Sequence, residues 1–234
     1  MRHLLRAVGR RIGPVVGVCA LLAGGIAGWM LLPGPGRAQA AVCPGTPVAA
    51  GTACTDTGTL TFSAGTLTLT SPTALTWSGV GNGLDQELVD ATTAHQSYLV
   101  DDATGSGAGW NVTVSATTFT STSPAATLPN AGTLSTNGSI TSAASTAGPT
   151  AACTTGATCT LPTDTAVSYP VAITTAATSP TAYKVYDALA ATGLGSITIG
   201  LPGAAPVGWW VDVHANATPA TYTSTITLEV ISAP

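Results

Sequence analysis

Beyond residue 40 this sequence holds a single cation, Lys184, and no arginine, set against ten acids for a formal charge of −9. Phosphate neutralisation needs clustered Lys and Arg, so nucleic acid is excluded as a partner. Attraction to an anionic membrane surface is disfavoured for the same reason, and phosphoryl transfer lacks its electrophilic clamps. Histidine is nearly absent: only His95 and His214 lie beyond residue 40, and no Gly-x-Ser-x-Gly occurs, so a hydrolytic triad is poorly supported and the reading is a non-enzyme. The close carboxylates Asp101 and Asp102 are strand neighbours whose side chains diverge, which makes a poor acid/base pair. No CxxC pair and no Asp-x-Asp-x-Asp-Gly loop is present, so no metal or cofactor is expected; Asp85, Glu87 and Asp90 read as loop and capping acids. A sustained helical apolar stripe is missing too, which leaves an all-β chain.

What is present begins with a leader. Arg2, Arg6, Arg10 and Arg11 precede an apolar run, Ile12 to Leu32, and Ala38-Gln-Ala40 supplies small residues at a cleavage position. Residues 1–40 therefore read as a secretory signal peptide, with no membrane contact after its removal. The run is also long enough to span a bilayer, but Pro14, Gly17, Gly24, Gly25 and Gly28 make it a poor permanent anchor. Export favours disulfides, and the four cysteines beyond residue 40 fall into two close pairs, Cys43 with Cys54 and Cys153 with Cys159. Three connectivities are formally open.

Threonine makes up roughly a fifth of the remaining chain, which favours strands with polar outer faces. Residues 41–57 read as an N-terminal arm with a disulfide loop, and 58–234 as one domain, a β-sandwich or Greek-key barrel of about nine to eleven short strands. Period-two patterns place strands at Gly58 to Leu69 with a phase flip at Ala64-Gly65-Thr66, and at Leu75 and Trp77. Tyr98 to Asp102 and Trp110 to Phe119 flank a glycine-rich loop and look like a hairpin. Residues 121–164 are Ser/Thr/Pro-rich and read as an insertion with a weak strand at Ser139 to Thr141. Later strands are expected near 167–174, 183–187 (or a short helical turn there), 195–199, 208–214 and 222–231.

Two tryptophans are informative because neighbours on a strand point to opposite faces. Trp209 shares parity with Val211 and Val213. Trp210 shares parity with Asp212 and His214, so these three are the candidates for an outward aromatic platform on which a sugar ring packs, the alternative being a Trp210 covered by the Ser/Thr-rich loop or by another protein. Trp110 shares parity with Val112 and Val114, which reads either as a core aromatic or as a direct contact.

Three pieces of the chain together resemble the WxL family of bacterial cell-surface proteins. That family closes on Tyr, three residues, Leu or Ile, Thr, Trp, any residue, Leu and a final Pro. Tyr222, Ile226, Thr227 and Pro234 sit in register with it, Leu228 stands where the pattern has Trp, and Val230 where it has Leu. Gly109-Trp110-Asn111-Val112 resembles the family's first Trp-x-Leu, preceded by Val100-Asp-Asp102 and the glycine loop, and Gly193-Leu-Gly195 is a third similarity. The resemblance implies a secreted, non-catalytic surface protein held non-covalently on the cell wall by peptidoglycan or another wall polymer, often with partner surface proteins. It adds Trp110, Val112 and Tyr222 to the candidate contacts. The rival expectation is a structural or adhesive subunit working through protein contacts.

Overall fold

A computed structural model describes residues 41–43, 46–48, 50–51, 53, 58–163 and 166–232. The chain divides into two compact units at Leu60/Thr61. In the first, β1 (Ala41–Cys43) and β2 (Thr46–Val48) form an antiparallel hairpin. The signal-peptide reading and the Cys43–Cys54 pair lie outside the described residues.

The second unit is all-β, as expected. Its strands are β3 (Leu67–Thr70), β4 (Gln86–Val89), β5 (Tyr98–Asp102), β6 (Trp110–Ala116), β7 (Thr120–Thr122), β8 (Ala125–Thr127), β9 (Leu134–Asn137), β10 (Ala151–Cys153), β11 (Val171–Ile173), β12 (Tyr183–Ala188), β13 (Gly195–Ile199), β14 (Gly208–Val213) and β15 (Ile226–Ser232), with a short 3-10 helix at Thr93–His95. They assemble as antiparallel sheets ordered β10-β13-β5-β3, β11-β9-β14-β4 and β12-β6-β15, plus the β7-β8 hairpin. The count exceeds the expected nine to eleven because several pairings are only three residues long.

One core joins the three larger sheets. Val100 and Ile197 come from the first, Leu134 and Trp209 from the second, Trp110 and Val112 from the third, all wholly buried. Alternation explains why: in β5, Tyr98, Val100 and Asp102 are buried while Leu99 and Asp101 are half-buried.

Several expected elements differ. Residues 58–66 form no strand and are exposed throughout, and Leu75 and Trp77 sit in irregular chain. The expected hairpin of β5 with β6 does not form: β5 pairs with β13 and β3, and β6 with β12 and β15. The glycine loop carries the chain from one sheet to another, with positive φ at Gly105, Gly107 and Gly109 as the glycines suggested. The stretch 121–164 is no insertion, since it supplies β9 to the interior of a sheet. Ser139 to Thr141 is not a strand but a turn whose amides are held by Asn137 and Ser139 side chains. Cys153 and Cys159 are bonded, as expected.

The last strand is built into the molecule. All seven residues of β15 pair with β6, from Ile226↔Ala116 to Ser232↔Trp110. Among the described residues β15 has no hydrogen-bonded strand on its other side.

Candidate functional site

The expected contacts fall into two groups. Trp110 is wholly buried, stacks on Tyr186 at 6.2 Å, and donates its indole N–H to the Gly193 carbonyl at 2.8 Å. Gly193 has φ +71°, and a Cβ there would lie 2.6 Å from Trp110 Nε1 and 2.5 Å from Ala188 Cβ. The glycine is required twice, by its conformation and by the ring it receives. Val112 is buried beside it and pairs across the sheet with Val230. This is the core-aromatic alternative for Trp110; neither side chain is presented to a ligand.

Trp210 takes the covered alternative and not the outward platform. Its parity is opposite to that of Trp209, as expected, but it is only 6% exposed. Its indole N–H donates to the Ser139 carbonyl at 3.0 Å and reaches Asn137 Oδ1 at 3.3 Å. Asn137, wholly buried, in turn donates to the carbonyls of Ser142 and Ala143. The Ser/Thr-rich segment after β9 folds over this face, so no open platform exists. Asp212, further along β14, and His214, just past its end, are half-buried.

His214 and Tyr222 lead to the site the sequence missed. Both line a groove of about 850 Å³ bounded by the 71–84 segment, β4, β14 and β15. Its apolar surface comes from Leu75, Trp77, Leu88, Val213 and Leu228, its polar rim from residues such as Asn82, Gln86 and Thr218. That size lies within the usual range for small-ligand sites, roughly 300–1,000 Å³. Tyr222 donates its hydroxyl to the Thr218 carbonyl at 2.7 Å, which fixes its ring on the wall. At the rim, Asp85 accepts from the Ala215 amide at 2.7 Å and lies 3.8 Å from His214.

The wall carrying Trp77 is irregular chain, yet it is anchored. Trp77 Nε1–H donates to the Trp209 carbonyl at 2.9 Å, and its ring meets Phe119 edge-on at 5.9 Å. The same carbonyl accepts from the Asp90 amide at 3.0 Å, while Trp209 donates its indole N–H to the His95 carbonyl at 3.1 Å. Asp90, 1% exposed, accepts from the amides of Thr76 and Thr92 at 2.8 and 2.9 Å and from His95 Nδ1 at 2.6 Å. Burial alone would raise its pKa, but these hydrogen bonds, the Thr76 and Thr92 amides foremost, outweigh it and hold the carboxyl below the ordinary value. Asp90 is the pin that ties the groove wall to the core, a role its place in an acidic cluster did not reveal.

Charge is scarce here. Lys184 is the only Lys or Arg among the described residues, and it pairs at 3.1 Å with the buried Asp187. A bulge between Lys184 and Tyr186 shifts the strand register between this pair. Among the described residues no Lys or Arg lines the groove, and no cluster of His, Cys, Asp or Glu is placed to hold a metal.

The described residues form an antiparallel all-β domain, consistent with a sandwich, with an open groove on one side. A family model described as WxL domain surface cell wall-binding matches residues 56–234. The chain belongs to the WxL family, and its domain is a surface, cell-wall-binding one of a generally non-catalytic kind. Neither a curated protein nor a solved structure matches the chain.

Proposed function

We propose that this is a secreted protein that binds peptidoglycan non-covalently through the groove between the 71–84 segment and β15, taking the glycan face of the polymer. The observation that carries the reading is an open apolar groove with two fixed aromatic side chains, Trp77 and Tyr222, and no cation. A sugar packs its C–H face on such a surface while Asn, Gln and Thr at the rim meet its hydroxyls and amides. Phosphate-bearing wall polymers and the carboxylates of stem peptides find no Lys or Arg there, which sets a neutral glycan ahead of them. Single contacts of this kind are weak, and repeated sites on the wall turn them into retention.

The test is co-sedimentation with purified peptidoglycan. Gly81 lines the groove and a Cβ there meets nothing within 4 Å, so Gly81→Arg obstructs the groove without disturbing the fold. Retention should fall at least about tenfold, a loss of about 1.4 kcal/mol. Unchanged retention of a folded Gly81→Arg protein would remove the groove from the mechanism. A second reading, a surface subunit acting through protein contacts, draws its own support from the exposed pair Leu60 and Phe62.

A further inference from the structure

The segment from Gly58 to Gly65 carries the largest exposed apolar side chains of the described chain. Leu60 is 88% and Phe62 89% exposed, two residues apart, so in an extended chain both point to one face. From Gly58 through Thr70 there is no charged residue. Among the described residues Gly58 to Ala64 pair with no strand. A solvated arm of such composition is a hazard unless something covers it.

We infer that the arm of one copy docks, extended, in the groove of a second copy, Leu60 and Phe62 entering its apolar surface. The groove matches the arm in kind: Leu75, Trp77, Val213 and Leu228 offer apolar surface, and no cation lines it. The arm precedes β3, whereas the chain that forms the groove wall follows it. Gly65 is tied down by its amide, which donates to the Ala103 carbonyl at 2.8 Å, and groove-lining residues begin only at Ser71, beyond β3. Reciprocal exchange of two such arms buries roughly 1,200–1,600 Å² in total, the size of a standard specific interface. An arm in the groove excludes a glycan from it, so self-association and wall retention compete. The association itself does not depend on the groove being a glycan site.

Analytical ultracentrifugation of the protein as its producing cells process it tests this. The expected result is a concentration-dependent dimer. The double variant Leu60→Ser/Phe62→Ser should associate about a hundredfold more weakly or worse, since both large side chains of each arm lose their burial. Gly81→Arg should do the same from the groove side. Each variant keeps the half that the other lacks, so an equimolar mixture should form one-way pairs that neither forms alone. Excess synthetic peptide of residues 58–64 should dissolve the wild-type dimer. A wild-type protein that stays monomeric at all concentrations, an arm variant that associates as tightly as wild type, or a dimer indifferent to the peptide would each overturn the inference. If Gly81→Arg abolishes the dimer but leaves wall retention unchanged, the glycan reading fails and the arm reading stands.

Discussion

Replacing Trp110 by Phe separates a structural role for the family's first tryptophan from a wall contact. The ring would keep most of its packing on Tyr186 but lose the indole N–H that meets the Gly193 carbonyl at 2.8 Å. A buried acceptor left without its donor costs about 1–3 kcal/mol, and the missing part of the indole leaves a small cavity worth roughly another 1 kcal/mol. The expected loss is therefore about 2–4 kcal/mol, read as a lower midpoint in urea unfolding with an unchanged slope. Gly193→Ala attacks the same contact from the other side, through a disfavoured left-handed conformation and a Cβ lying 2.6 Å from Trp110 Nε1. The two substitutions share one contact, so the double variant should lose less than the sum of the singles. Peptidoglycan retention, measured well below the midpoint, should match wild type for all three. Additive losses, or a Trp110→Phe protein that folds with full stability yet leaves the wall, would refute the assignment of Trp110 to the core.

Asp90→Asn should destabilise the domain near neutral pH and loosen Thr76 and Trp77. Because the folded carboxyl sits below its ordinary value of 3.8, its stabilisation is fully present above that pH and is lost as pH falls through the folded pKa. The gap between wild type and variant in unfolding midpoints should thus close on acidification below 3.8; a gap that widens would reverse the sign of the argument. Retention on peptidoglycan should survive a rise from about 0.1 M to 1 M salt, which shortens the screening length from about 10 Å to 3 Å, and a steep loss would mean that charge carries the binding. Replacing Cys153 and Cys159 by Ser should cost about 2 kcal/mol in thermal or urea unfolding, the value for closing so short a loop.

The sequence was most legible where one face of a strand is buried. Tyr98–Asp102 and Gly195–Ile199 stand where period-two reading put them, because their alternate residues enter the core. It was least legible where partners are remote. Nothing local says that β5 and β6 separate into different sheets, since a glycine-rich loop suits a hairpin as well as a crossover. The strand β9 hid in polar sequence because Leu134 is the one large apolar side chain in Leu134-Ser-Thr-Asn137, though Thr136 and Asn137 are buried as well. Trp210 was read to the correct side of its strand, but parity could not decide between an open face and one covered by the earlier Ser/Thr-rich segment. The groove was missed for a related reason. Tyr222 and His214 were named, but Trp77 and Leu75 reach the site on irregular chain, held by a carboxylate and a carbonyl far away in sequence, and such chain has no period to read.

The register between β6 and β15 gives the departures from the family pattern a physical order. The resemblance puts Leu at positions 112 and 230, and this chain has Val at both. Those two residues are direct cross-strand partners, one wholly buried and the other half-buried against the same core. Two equal reductions facing each other shrink one layer of the core together, where a single one would leave a void. The third departure has no such partner. Leu228, standing where the pattern has Trp, faces Val114 across the pair and lines the groove. Leu228 also packs against the core, as Val230 does, so a smaller side chain there both widens the groove and is felt by the packing beneath it. On the groove reading proposed above, the matched changes stay within one layer of the core while the unmatched one also alters the groove wall, so Leu228 is the departure expected to change retention on peptidoglycan.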